Sequence, residues 1–453
     1  MRGSALVAAC LALAACAVPV SEMPGRLPTL PATLPPMKTF AARAPEAPAR
    51  PNAQIARDFL DLSFRMESGR PLAVMSRFEG PVRVRVTGTA PPSLGPDLAA
   101  LLARLRQEAG IDITRVGADG PAEVTIEVVP RARLQRLVPQ AACFVAPRVS
   151  GWDEYRQARR TGTVDWTTLV TRDEVAIFLP GDVSPQEVRD CLHEELAQAI
   201  GPLNDLYRLP DSVFNDDNFH TVLTGFDMLI LRLYTAPDLR SGMTRAEVAR
   251  VLPGLLARLN PRGEGRTGAA VPPTTRDWID AIETALGPAT PMPRRRAAAE
   301  RAVQIAEARG WQDSRLAFSL FALGRMSLGR DGEVALAAFL RAGQIYAARP
   351  DTRVHEAHVA MHLAAFSLSA GQARTALDLV NRNISAAMRG QNASLLATML
   401  MIKAGALDAL GRPGEARIVR EDALGWARYG FGSDAEVRTR IEEIAALTPG
   451  GAG

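Results

Sequence analysis

The sequence predicts an α+β domain, a mixed sheet packed on helices, followed by an all-α helical-repeat domain. Three observations carry this expectation. Short apolar runs between residues 82 and 179 read as strands. A well-punctuated helix follows them, opening at Ser184 and stopping at Gly201. From residue 294 onward the apolar period is helical, and Gly329, Gly371 and Gly411 mark turns 42 and 40 residues apart.

The elements follow in order. Residues 55–65 read as a short helix. Val82, Val84 and Val86 alternate with Arg83 and Arg85, the period of a strand with one buried face. Residues 96–109 are amphipathic, with Leu98, Leu101, Leu102 and Leu105 on one side and Gly110 at the end. Residues 111–113 and 122–128 read as two further strands, 129–173 as a looser region, and 174–179 as a last strand before the central helix. Residues 223–234 read as an amphipathic core helix. Thr244 and Glu247 form a capping-box pair opening a helix to about Leu259. Residues 261–293 read as a linker with a short helix at 278–286, because Gly, Pro and Thr are dense on both sides. Helical repeats then run over 294–447, leaving 52–260 as the α+β domain.

Composition excludes some function classes. The formal net charge is +4, and almost all 53 basic residues are arginine, with Lys38 and Lys403 the only lysines. Arg294-Arg295-Arg296 is the one dense basic run and reads as a solvated helix start, so no nucleic-acid partner is expected. No Gly-rich phosphate loop, Ser-His-Asp order or Cys-His pair is readable. The five histidines leave little room for a hidden His-rich site, and His355, His358 and His362 read as one helix face.

The N-terminus reads as a targeting segment. Arg2 precedes an apolar stretch, residues 5–15, too short to span a bilayer. It ends Leu13-Ala14-Ala15-Cys16, which resembles the bacterial lipobox. The resemblance implies a signal peptide over 1–16, lipidation at Cys16 and a membrane partner through that lipid. Ala17 after the cysteine implies a periplasmic protein on the outer membrane. An ordinary signal peptide is the alternative. Residues 17–51 are Pro- and Ala-rich and read as an extended tether. An oxidising compartment permits a Cys143–Cys191 disulfide; two buried free thiols are the alternative.

The chemistry centres on the helix that starts at Ser184. Ser184 and Glu187 suit a capping box, Pro185 the first turn, and Gly201-Pro202 the stop. At 100° per residue Glu195 falls within the apolar arc with Val188, Cys191, Leu192, Leu196 and Ala199. Gln198 lies at its edge, Glu194 just outside, and His193 points away. A carboxylate on a buried face needs a partner, which makes Glu195 a site candidate.

The stretch Glu194-Glu195-x-x-Gln198-x-x-Gly201-x-x-Asn204-Asp205 resembles the metzincin zinc-protease signature H-E-x-x-H-x-x-G-x-x-H. The resemblance places Glu195 at the general-base position and Gly201 at the turn. Glu194, Gln198 and Asn204 replace the three ligand histidines. Ser212-Val213-Phe214 stands where such proteins carry a Ser-x-Met turn, and Asp227 lies in the closing helix. The whole pattern over 55–235 is similar to an uncharacterised family of proteobacterial lipoproteins. The glycine-marked hairpins resemble tetratricopeptide-like repeats, which implies a protein partner on their concave face.

Two classes therefore stay open. One is a non-catalytic protease-like domain coupled to a helical-repeat interaction scaffold. The other is an atypical metal-dependent hydrolase using Glu195 as general base. Glu194, Gln198 and Asn204 are weak all-oxygen metal candidates that suit Ca²⁺ or Mg²⁺ better than Zn²⁺. The expectation is no cofactor, with Glu195, Gln198, Asn204 and Asp205 satisfying one another in a buried network.

Overall fold

A computed structural model describes residues 33–447, apart from 43, 49, 269–270 and 288–289. The expected signal peptide, Cys16 and the first half of the tether lie outside the described residues.

The N-terminal region is an α/β domain. Its five strands are β1 (Val82–Gly88), β2 (Ile113–Arg115), β3 (Val124–Val129), β4 (Phe144–Pro147) and β5 (Val175–Pro180). They lie in the order β2-β1-β3-β5-β4. The first four in that order are parallel, and β4 runs antiparallel along the edge of β5, with Phe144 opposite Phe178. The helices are α1 (Asn52–Ser63), α2 (Leu94–Glu108), α3 (Arg131–Gln135), α4 (Trp152–Ala158), α5 (Pro185–Ile200), α6 (Gly225–Tyr234) and α7 (Arg245–Leu259).

Both faces of the sheet are covered, and β5 shows why it is apolar throughout. Its period of two sends Val175, Ile177 and Leu179 into the main core with α2, α5 and α6. Ala176 and Phe178 face a second core with Leu134 of α3, Trp152 of α4 and Val149 of the loop before α4. β4 falls within the stretch that reads as loose from sequence. Four residues ending in Pro147 give too little period to register as a strand.

The C-terminal region is all helical: α8 (Arg276–Leu286), α9 (Met292–Ala308), α10 (Ser314–Ser327), α11 (Gly332–Ala347), α12 (Arg353–Ser369), α13 (Ala373–Arg389), α14 (Ala393–Ala409), α15 (Pro413–Phe431) and α16 (Asp434–Ala445). Three successive hairpins, α10–α11, α12–α13 and α14–α15, turn at Gly329, Gly371 and Gly411. These glycines have φ of 76°, 73° and 72°, the left-handed conformation that disfavours a Cβ.

Two boundaries differ from the sequence reading. Helix α8 is part of the helical array and not of a linker: Trp278 is fully buried there and its Nε1 donates to Ser319 Oγ at 2.9 Å. A sharp Pro-rich break on each side hides that membership from a local reading. The described residues between 33 and 51 are extended, as Pro-rich chain should be, but packed. Leu34 joins the core of the last hairpins, Phe40 stacks on Trp426 at 4.5 Å between centroids, and Lys38 N donates to Gly425 O. The end of the strap reaches the α/β domain, where buried Arg50 pairs with Asp58 at 3.0 Å and with Asp211.

The two regions also meet directly. Gln186 of α5 bonds to Asn392 and Ser394, Arg189 donates to Gln391 O at 2.7 Å, and Tyr429 Oη donates to Asp97 at 2.9 Å. Among the described residues, no helix is long and apolar enough to cross a membrane.

Candidate functional site

Helix α5 positions the site. Ser184 Oγ accepts from Glu187 N at 3.2 Å, half of the expected capping box. The other half is absent because the Glu187 carboxylate pairs with Arg131. At the far end, buried Arg172 donates to the carbonyls of Gln198 and Ala199 at 2.8 and 2.7 Å. A cation there satisfies orphan carbonyls and complements the helix dipole. Gly201 ends the helix where a Cβ would stand 2.5 Å from Leu231 Cδ2 and 2.8 Å from Ala197 O. Close approach, and not a positive φ, is what requires glycine here. Cys191 is disulfide-bonded to Cys143, Cα–Cα 5.9 Å, which ties α5 to the segment leading into β4.

Glu194, Glu195 and Gln198 face a cleft of about 570 Å³. One wall is residues 140–147, including the outer edge of β4. Met66, Glu67 and Ser68 form another, and Asp216, Asn218, Tyr155 and Trp166 complete it. Among the described residues no other strand pairs with that edge of β4.

Five carboxyl groups gather at this place. Oxygens of Glu67, Asp205 and Asp216 lie within 4.8 Å of one another. Glu194 and Glu195 are close enough for their charges to repel that group. Loss of hydration, then the neighbouring acids, pushes Glu194 up to about 8. Much of Glu67 reaches solvent at the mouth, but its carboxyl group turns inward. Desolvation there, with Asp216 beside it, pushes it up to about 7. Burial raises Glu195 and Asp205 well above the ordinary carboxylate range, and Asp216 is raised for the same first reason. The side chains of Glu67 and Asp216 interact directly, which raises Glu67 further and lowers Asp216 against its burial.

The expected closed network of Glu195, Gln198, Asn204 and Asp205 does not form. Gln198 Nε2 reaches Asp205 Oδ2 at 3.4 Å. Asn204 is spent elsewhere, its Nδ2 donating to the Asp61 carbonyl at 2.9 Å. Glu195 Oε2 and Asp205 Oδ1 are buried with no hydrogen-bond partner. The residue after a helix stop leaves in a direction that sequence spacing does not fix, so Asn204 turns towards α1 and Asp205 towards Gln198. His193 is buried on the opposite side, where its Nδ1 accepts from Leu223 N at 3.3 Å.

The Ser212-Val213-Phe214 turn is a structural centre. Asp227 Oδ1 accepts from Ser212 Oγ at 2.5 Å, and Asp227 Oδ2 accepts from Val213 N and Thr224 N. Phe214 is fully buried in the main core. Asp227 is thereby a helix cap for α6 and not a cleft residue.

The sequence reading misses Glu67 and Arg172, and Asp216 lies on the loop downstream of α5. Neither missed residue carries a local signal, since each reaches α5 from a distant loop. His220 lines a different cavity with Glu46, Asp211 and Asp351. His355 pairs with Asp217 at 3.0 Å across the junction of the two regions.

No curated protein and no solved structure is significantly similar to this chain. Residues 52–254 match the family described as "Protein of unknown function (DUF2927)", so this part of the chain is similar to an uncharacterised family.

Proposed function

We propose that the chain is a non-catalytic interaction protein: a metzincin-like domain whose cleft binds without cutting, coupled to a tetratricopeptide-like scaffold and anchored at the periplasmic side of the outer membrane through lipid on Cys16. The observation that carries this reading is the fate of the three ligand positions. Glu194 and Gln198 face the cleft, Asn204 is turned away on Asp61, and among the described residues no histidine lines the cleft. Zinc hydrolysis needs a nitrogen-rich ligand set with an open position, which these residues do not supply. Cys143, which lines the cleft, is in a disulfide. The free edge of β4 supports docking of an extended peptide by strand addition. On the array, Leu328, Leu336 and Leu340 are large apolar side chains left exposed, which supports a protein partner there.

The test is direct. The purified chain is incubated with a quenched-fluorescence peptide library, with and without Zn²⁺, Mn²⁺ or Ca²⁺. No cleavage is expected. Turnover that Glu195→Gln abolishes would overturn the reading in favour of a hydrolase. That second reading has one observation behind it: Glu195 is buried, faces the cleft and has an unpartnered oxygen, as a water-activating carboxylate would.

A further inference from the structure

We infer that the cleft holds a Ca²⁺-class divalent cation between Glu67, Asp205 and Asp216, a ligand set different from the residues at the protease-signature spacing. Three carboxylates in a group are not by themselves a site. Two further facts make one here. Glu195, 4% exposed, projects from α5 into the same cleft, and its Oε2 has no hydrogen-bond partner. Asp205 Oδ1, within the group itself, is also buried and unpartnered. Buried acceptors without donors are costly, and an all-acceptor pocket is relieved by a cation.

The donor chemistry narrows the ion. The acidic oxygens lie within 4.8 Å of one another, close enough to share one oxygen-ligated cation. Ligands that are all oxygen disfavour Zn²⁺, which prefers nitrogen and sulfur. The open mouth beside Glu67 admits the waters that complete six to eight ligands. The three ligands come from two loops: Glu67 from the loop after α1, and Asp205 and Asp216 from separate parts of the loop between α5 and α6. A bound ion would fasten these loops together. The inference does not depend on whether the cleft binds or cuts a peptide.

The test uses the purified chain, stripped with a chelator and titrated with Ca²⁺ by calorimetry. One equivalent is expected to bind and to raise the melting temperature. Tb³⁺ serves as a luminescent Ca²⁺ probe. Because Trp166 and Tyr155 line the cleft, sensitised Tb³⁺ emission is expected, and Ca²⁺ should compete it away. Asp205→Asn and Asp216→Asn should each weaken Ca²⁺ binding tenfold or more. Each removes charge from a crowded group, so the metal-free melting temperature should stay the same or rise, which separates lost binding from lost folding. No binding at millimolar Ca²⁺ would overturn the inference. So would binding that both variants retain, or a preference for Zn²⁺ over Ca²⁺. Peptide cleavage bears on the proposed function alone and leaves this result standing.

Discussion

Phe219→Ala should loosen the join between the two halves of the chain. Phe219 sits on the loop between α5 and α6, yet its ring lies among rings of the helical array. Centroid distances are 4.4 Å to His355, 4.8 Å to His358, 5.1 Å to Phe321, 5.8 Å to Phe318 and 6.3 Å to Tyr346. The residue is 3% exposed, so truncation leaves a cavity and not a solvated dent. Phe→Ala at such sites costs about 3–5 kcal/mol. For a region of this size that is a fall of roughly 6–20 °C in melting temperature. Calorimetry is the assay, because a chain of two regions need not melt in one step. The expected result is an earlier transition for the array and a wider separation of the two transitions. A double-mutant cycle with Phe318→Ala should be non-additive by about 0.5 kcal/mol or more. A fall below 2 °C, or strict additivity, would refute the claim that this ring cements the junction.

Four other outcomes follow from particular contacts. Removing the Cys143–Cys191 bridge by a double Ser substitution should cost on the order of 4 kcal/mol from chain entropy, given the separation of 48 residues, read by urea unfolding with and without reductant. Gly201→Ala forces a methyl against Leu231 and the Ala197 carbonyl and should cost about 1–3 kcal/mol; an unchanged midpoint would show the turn is loose. His358 is held down to about 3 by burial, with His355, His362 and Arg325 adding to it. Its folded value lies below its unfolded one, so stability is full above about pH 6.5 and lost as pH falls; His358→Gln should remove up to about 2 kcal/mol of the loss between pH 7.5 and 5. Cys16→Ser should move the protein out of the membrane fraction and end acyl labelling; wild-type protein recovered unacylated would refute lipidation.

What the sequence made legible follows physical range. Helix α5 is marked by Ser184, Pro185 and Gly201, all local devices, and its bounds are readable. The hairpin turns are marked by glycines at positive φ, again local. Strands β1, β3 and β5 show apolar patterns because the sheet buries them. β4 does not, since it is short and carries Cys143 and Pro147 at its flanks. The site was only half legible for the same reason. Glu194, Glu195 and Gln198 share one helix, so periodicity places them together. Glu67, Asp205 and Asp216 are brought together from loops, and loop directions are set by packing. Arg50, Leu34 and Phe40 show the limit from the other side: a Pro-rich composition correctly gives extended chain, yet says nothing about whether that chain finds a groove.

The stretch from Asn215 to Phe219 explains how a cleft on one region and a helical array on the other are physically one arrangement. Asp216 turns to the cleft, where Tyr207 Oη donates to its Oδ2 at 3.3 Å. Asp217, the next residue, turns the opposite way and accepts from Asn215 Nδ2 at 2.8 Å while holding His355 of α12 at 3.0 Å. Its other oxygen accepts from Phe219 N at 3.0 Å, which aims the Phe219 ring into the array. Consecutive residues therefore belong to different regions, and the backbone between them spans less than 4 Å. A displacement of α12 relative to the sheet cannot leave Asp216 in place unless the Asp217–His355 pair breaks. Both partners of that pair are buried, so breaking it strands polar atoms away from water and is costly. The position of one cleft acid is thus set by the seating of the helical array, and a partner that shifts the array would alter the spacing of Asp216 from Glu67 and Asp205.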